Sequence, residues 1–183
     1  MIFITGDVHC PTDLAKLNRK HFQEQKQLTK KDYLIVCGDM GIVWANPEDK
    51  GYQEDVYWQK WFDTRPYTTL YLDGNHENHA LLASYPVVDF CGGKAHQIKE
   101  SVYHLMRGEI YEIDGKTFFI FGGAASHDRH HRTEGKNWWA EEVASLAEMK
   151  HGAENLAKVD DTVDYMLTHC CGSDIHPTEG SSA

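Results

Sequence analysis

Three short segments carry the residue types that do chemistry: Gly6-Asp7-Val8-His9, Gly38-Asp39-Met40-Gly41 and Gly74-Asn75-His76-Glu77. Each follows a short apolar, β-branched run. Each therefore delivers a carboxylate, amide or imidazole where a strand turns into a loop. Asp7 and His9 are two residues apart, and on an extended segment alternate side chains project the same way, so both reach one ion. Asp39 has two oxygens and can bridge two ions. Asn75 offers a neutral carbonyl oxygen, and His169, ending a later apolar run, offers another imidazole. Carboxylate plus imidazole suits manganese, iron or zinc better than calcium. Paired divalent ions hydrolyse phosphate esters.

A plainer alternative makes Asp7 and Asp39 helix caps, with Asn75 and His76 stabilising a turn. For any single motif that alternative is preferable, because short patterns recur by chance. The joint occurrence, in order and at successive strand ends, reverses the preference.

The elements that must position these residues alternate strand and helix in the first half of the chain. Ile2–Thr5, Tyr33–Cys37 and Thr68–Leu72 read as buried strands. Residues 13–28, 53–63 and 78–84 read as helices. That alternation favours a largely parallel sheet with helices packed on it, and ligands in such folds gather at the carboxyl ends of the strands. The second half changes character. Residues 102–105, 109–113 and 117–121 are short strands, and Asp114-Gly115 is a hairpin signal, so an antiparallel section forms a second sheet stacked on the first. Residues 137–151 read as a helix on which one of Trp138 and Trp139 is buried and the other half-covered. Residues 163–168 are a last strand that points His169 into the same kind of position as the earlier motifs.

Composition narrows the function classes. The 183 residues suffice for one domain with a full core, and the formal net charge of −10 argues against nonspecific nucleic-acid binding. No apolar stretch reaches the length of a membrane span, and the first residues lack a basic leader, so the expected location is cytoplasmic. Five cysteines, at 10, 37, 91, 170 and 171, with no CxxC pair read as reduced thiols rather than a zinc knuckle. Of the segment Ser126-His127-Asp128-Arg129-His130-His131-Arg132 two readings carry equal weight. It is a solvated loop, or it borders the site and offers Arg129 or Arg132 to a phosphate.

The order GDxH, GDxG, GNHE and a later strand ending in histidine resembles the calcineurin-like metallophosphoesterase family. The similarity runs over nearly the whole chain and includes Gly122-Gly123 after a strand. The region of Ser126, Asp128 and Trp138-Trp139 resembles a bacterial and phage-associated branch. The resemblance implies an α/β fold of two stacked mixed β-sheets flanked by helices, an α/β/β/α sandwich formed by a single domain over residues 1–183. It implies two divalent ions, manganese first with iron or zinc as alternatives. Asp7 and His9 would bind the first ion, Asp39 would bridge, and Asn75 and His169 would bind the second. His76 would bind no metal and would sit beside the phosphate, stabilising charge or protonating the leaving oxygen, oriented by Asp73 or Glu77. The implied activity is metal-dependent hydrolysis of a phosphate ester, with a metal-bridging hydroxide attacking phosphorus. Phosphoproteins, nucleotides, cyclic nucleotides and nucleic-acid ends are the candidate substrates.

One part of the family pattern is missing. The family closes its site with a Gly-His-x-His segment on a later strand, and no such segment follows His169. The expectation is a chain that is short at its C-terminus relative to the family, with His176, His127, His130 or His131 as candidate replacements. The alternative function class is a module that retains the fold and binds metal or phosphate without turnover. A purely structural reading, with every motif a turn, ranks last because it treats five strand-end ligands as coincidence.

Overall fold

The run Tyr33-Leu34-Ile35-Val36-Cys37 has no polar face, which requires a strand covered on both sides. The computed structural model, which describes residues 1–171, shows that arrangement. Strand β1 (Ile2–Thr5), β2 (Tyr33–Cys37) and β3 (Thr68–Leu72) are parallel neighbours. Leu34 and Val36 of β2 enter one core with Met40, Phe62, Tyr71 and Val102. Ile35 enters a second core with Leu70, Leu72, Tyr111, Phe118 and Ile120. The two-residue side-chain period of a strand thus splits one apolar run between two layers.

The first sheet has six strands in the order β1-β2-β3-β6-β5-β4, completed by β4 (Val87–Phe90), β5 (Gly93–Lys99) and β6 (Val102–Leu105). β6 runs parallel to β3, and β4 and β5 form an antiparallel edge. The second sheet has the order β7-β8-β9, from β7 (Ile110–Ile113), β8 (Lys116–Phe121) and β9 (Tyr165–Thr168). Helix α1 (Tyr52–Asp63) and the short α2 (His79–Leu82) bring Phe62 and Leu82 to the outer core of the first sheet. Helix α3 (Leu146–Ala157) covers the second sheet, where Gly152 lies against Phe119 and Phe121. These are the two stacked mixed sheets with outer helices that the sequence implies.

Two expected helices are broken, each by a side chain that offers the backbone another partner. Residues 13–28 form two short 3₁₀ turns, Leu14–Leu17 and Gln23–Gln27. Between them Asn18 is extended, and its Oδ1 accepts from the backbone N–H of Lys20 and His21. Residues 137–151 contain a 3₁₀ turn at Ala140–Glu142, extended Val143, and only then α3. Ser145 and Glu148 form a reciprocal capping box that starts α3 late. Trp139 is buried, though not on a helix. The β4–β5 hairpin was not expected. It turns through Cys91 and Gly92, both with positive φ, and cysteine is no turn signal, whereas the β7–β8 turn uses the readable Asp114-Gly115.

A buried polar cluster pins the carboxyl ends of β3 and β6 together. Asp73 accepts from Arg107 Nε at 2.9 Å and Nη2 at 2.5 Å, and lies 3.1 Å from His104 Nε2. Burial acts to raise the Asp73 carboxyl, but hydrogen bonds and charge from His104 and Arg107 outweigh it and hold it far below the usual carboxylate range. His104 Nδ1 meets His96 Nδ1 at 3.0 Å, and burial, then His104, push His96 down to about 4. Arg107 also donates to the backbone carbonyls of Glu141 and Glu142, tying this cluster to the loop before α3. Replacing Arg107 by Met should cost about 3–5 kcal/mol of unfolding free energy, because Asp73 keeps its burial and loses its paired cation. Urea unfolding measures it; a loss under about 1 kcal/mol would show that Asp73 is compensated elsewhere.

Candidate metal centre

Three of the expected ligands sit where the backbone turns left-handed: Asp7 at φ 46°, His9 at φ 40° and Asp39 at φ 50°. Non-glycine residues avoid this region, and where they occupy it the surrounding structure must hold them. Here two loops brace each other, with His9 N donating to Asp39 O at 2.8 Å and Cys10 N to Met40 O at 3.1 Å. Asp7 and His9 therefore meet by a sharp turn, not by the extended alternation expected from their spacing. Lys16 Nζ donates to the carbonyls of Gly6 and Asp7 and fixes the same turn from behind.

The donor atoms of Asp7, His9 and Asp39 all lie within 4.8 Å of one another. His9 Nε2 is 3.3 Å from Asp39 Oδ2 and 3.9 Å from Asp7 Oδ1. On the other oxygen, His169 Nε2 is 3.5 Å from Asp39 Oδ1 and 3.4 Å from Asn75 Oδ1. Asp39 is thus flanked by an imidazole on each oxygen, one from the loop after β1 and one from the end of β9 in the other sheet. Close approach makes this possible. A Cβ on Gly74 would strike Asp39 Oδ1, and one on Gly38 would strike the His169 ring. The side chain of Asp39 is 6% exposed, that of His9 40% and that of Asp7 60%, so the group opens to solvent on the Asp7 side.

The hydrogen-bond pattern fits a cation. His169 Nδ1 lies 2.9 Å from Cys37 O, and a carbonyl only accepts, so Nδ1 carries a proton and Nε2 is the ring atom turned toward Asn75 and Asp39. Asn75 Nδ2 donates to Ser126 Oγ at 3.0 Å, which turns Asn75 Oδ1 toward that same ring atom. Ser126 Oγ in turn donates to Glu142 Oε2 at 2.7 Å, and Ser126 N donates to Glu142 Oε1 at 2.7 Å. When Nε2 bears its lone pair, three acceptors converge, from His169, Asn75 and Asp39. A positive ion satisfies all three, and a mixed carboxylate, imidazole and amide set suits a first-row divalent metal. The outer hydrogen bonds fix the direction of the lone pairs, as supporting groups do at metal sites.

His76 stands beside these residues. Its backbone N–H donates to Asp39 Oδ1 at 2.9 Å, and its ring meets His9 edge-on at 5.2 Å between centroids. Arg132 Nη2 donates to His76 Nε2 at 3.3 Å, and Asp128 holds the guanidinium at 2.8 and 2.9 Å. Burial lowers the His76 pKa, Arg132 and His9 act in the same direction, and Asp39 opposes them. Neither residue expected to orient His76 does so. Asp73 is committed to Arg107 and His104, and Glu77 Oε1 accepts from Met40 N at 2.8 Å. The loop of residues 126–132 divides between its two readings. Ser126 and Arg132 face the centre, whereas His127, Arg129, His130 and His131 are exposed. His176 lies outside the described residues. Burial, followed by Glu54 and Asp55, pushes the Cys10 thiol up to about 12.

Sequence reasoning missed Glu142, Trp44 and the Arg107 cluster. Glu142 is 1% exposed in a loop that was read as helix; a buried glutamate leaves no trace in periodicity. Trp44 packs edge-on to Trp139 and lies nearly parallel to His76, at 20°, with nothing local to flag it.

A model of the calcineurin-like phosphoesterase family matches residues 1–178, and the chain belongs to that family. It is therefore a phosphoesterase by family, and the family generally uses divalent metals. Neither the curated proteins nor the solved structures compared with the chain include a match.

Gly74→Ala tests the close approach on which the centre is built. The added Cβ displaces Asp39 Oδ1, so manganese affinity should fall at least about tenfold, as for damaged metal-site supports, with the far-ultraviolet circular dichroism retained. Calorimetric titration reads it, and unchanged affinity would show that Asp39 is not a ligand.

Proposed function

We propose that the chain hydrolyses phosphate esters at a binuclear metal centre, manganese being the first candidate. The observation that supports this most is the pair of imidazoles on opposite oxygens of the buried Asp39. Asp7 and His9 would hold one ion and Asn75 and His169 the other, with an oxygen of Asp39 available to each. When bound, the ions polarise a phosphoryl oxygen and acidify a water at neutral pH.

The chain's own residues do the rest. Asp39 is held in place by its burial, by the His76 N–H and by Gly74, so its charge is organised before substrate arrives. His9 and Asp7 lie on the open side and face the incoming ester. Arg132 is permanently charged and reaches the position beside His76, where its guanidinium can donate to phosphoryl oxygens. Arg132 occupies His76 Nε2 as a donor in the free protein, and when its guanidinium turns to the phosphoryl oxygens Nε2 is released to carry the proton that the departing alcohol oxygen takes. Asp128 keeps Arg132 extended toward it. No side chain at the centre forms a covalent bond to phosphorus in this reading.

Manganese-loaded protein should hydrolyse 4-nitrophenyl phosphate, and a chelator should abolish the reaction. Asp39→Ala should lose both metal and turnover. His76→Gln should lower kcat by about 10²–10⁴-fold, the range for a lost general acid, while metal content by mass spectrometry stays unchanged. Metal loss in His76→Gln would make it a ligand. Full metal retention by the unaltered chain without turnover would instead favour a metal-binding module.

A further inference from the structure

A cavity of about 270 Å³ is lined by His9 of the candidate metal centre and by His76 beside it. Trp44 and Trp58 line it, and Glu54 and Asp55 of α1 also border it. No lysine or arginine lines it. This cavity belongs to none of the roles described above, and its chemistry is one-sided. It has aromatic faces and carboxylate acceptors, with the phosphate-binding end at His9 and His76.

The walls are built before any ligand enters. Trp44 is held edge-on by the buried Trp139 at 5.2 Å between centroids, and its carbonyl accepts from Asn78 Nδ2 at 2.9 Å. Asp55 Oδ2 accepts from the backbone N–H of both Trp44 and Ala45 at 2.7 Å, which locks that loop onto α1. Asp55 is only 8% exposed, and among the described residues its Oδ1 receives no hydrogen bond. Trp58 sits one helical turn from Glu54, and its Nε1 approaches Glu54 Oε1 at 3.5 Å. The indoles are therefore fixed, with acceptors beside them that lack a cationic partner among the lining residues.

We infer that this cavity is the leaving-group subsite and that it takes an alkylammonium group, making the preferred substrate a small phosphomonoester of an amino alcohol. The inference rests on the phosphoesterase reading of the adjoining centre. A cation over an indole face gains electrostatic attraction, and nearby carboxylates add to it. An ester with a phosphate at one end and an ammonium at the other matches a site that is cationic at its metal end and anionic at its α1 end. A second phosphate, as in a nucleoside di- or triphosphate, would meet Glu54 and Asp55 with like charge. A neutral nucleobase would find aromatic faces but would leave the carboxylates without a counter-charge.

The test compares phosphocholine with 3,3-dimethylbutyl phosphate, its uncharged isostere, on manganese-loaded full-length protein. Expected is a kcat/KM about tenfold higher for phosphocholine, in the range that cation–π and carboxylate contacts supply, with the ratio falling toward one in Glu54→Gln. Glu54 is exposed, so this variant should fold. A ratio of one or less, a ratio unchanged in Glu54→Gln, or a preference for nucleoside monophosphates over phosphocholine would overturn the inference. Choline titrated calorimetrically into the same protein gives a second reading that needs no turnover. Binding that weakens about fivefold in Glu54→Gln supports the subsite, on the same contact energies, and absence of choline binding overturns it. If 4-nitrophenyl phosphate and both esters are inert, the hydrolase reading fails by itself and choline binding alone decides the pocket.

Discussion

The centre depends on keeping one carboxylate, Asp39, out of water and in a left-handed backbone conformation at the seam between two sheets. Burying a charge is costly unless it is paired and hydrogen-bonded. The described protein groups give Asp39 one backbone donor, from His76, on the oxygen that also faces His169. The other oxygen faces His9. An isolated carboxylate in this position would be poorly compensated, and a bound cation would remove the imbalance. The same constraint explains the neighbouring glycines. Gly74 and Gly38 are places where the backbone must come so close to Asp39 and His169 that a Cβ would strike Asp39 Oδ1 or the His169 ring.

Support for that carboxylate runs through both sheets. His169 follows β9 and leans its Nδ1 on the carbonyl of Cys37 at the end of β2, so the second sheet is docked onto the first through this histidine. Asn75 is aimed by Ser126, Ser126 by Glu142, and the backbone of Glu142 by Arg107, which in turn holds Asp73 beside Gly74. The loop that begins after β8 is thereby closed back onto the end of β3. A change at Glu142 would reach the metal centre through rotation of the Asn75 amide, without touching the ions. Such outer hydrogen bonds set the orientation of ligands whose identity alone does not fix it.

Much of this was legible in the sequence, for a definite reason. Asp7, His9, Asp39, Asn75 and His169 each follow an apolar run whose strand character is plain, and parallel strands bring their carboxyl ends to one rim. What stayed hidden is what depends on non-local contacts. Asn18 breaks a helix because its amide captures two backbone N–H groups, and Ser145 with Glu148 starts another late. Cys91 occupies a turn position that only the surrounding sheet enforces. Arg132 and Arg129 look alike in sequence, yet only the former is pinned by Asp128 against His76. Of the two carboxylates weighed for orienting His76, Asp73 is claimed first by a buried arginine three residues past a buried histidine, and Glu77 by the backbone N–H of Met40.

The charge distribution bears on the kind of substrate such a site can serve. A chain with net charge −10 repels a polyanion at long range, but salt screens exposed charges beyond about 8 Å. Attraction for a phosphate must therefore be generated locally, and in the proposed reading metal ions and Arg132 would generate it within the reach of a single ester group. That favours compact monoesters over long phosphate-bearing polymers, whose remaining charges would lie over acidic surface. Glu54 and Asp55 extend the same logic into the cavity beside His76, where a group that accepts the negative field is more stable than one that adds to it. The metal end and the α1 end of the site thus select opposite charges, and a small zwitterionic ester satisfies both at once.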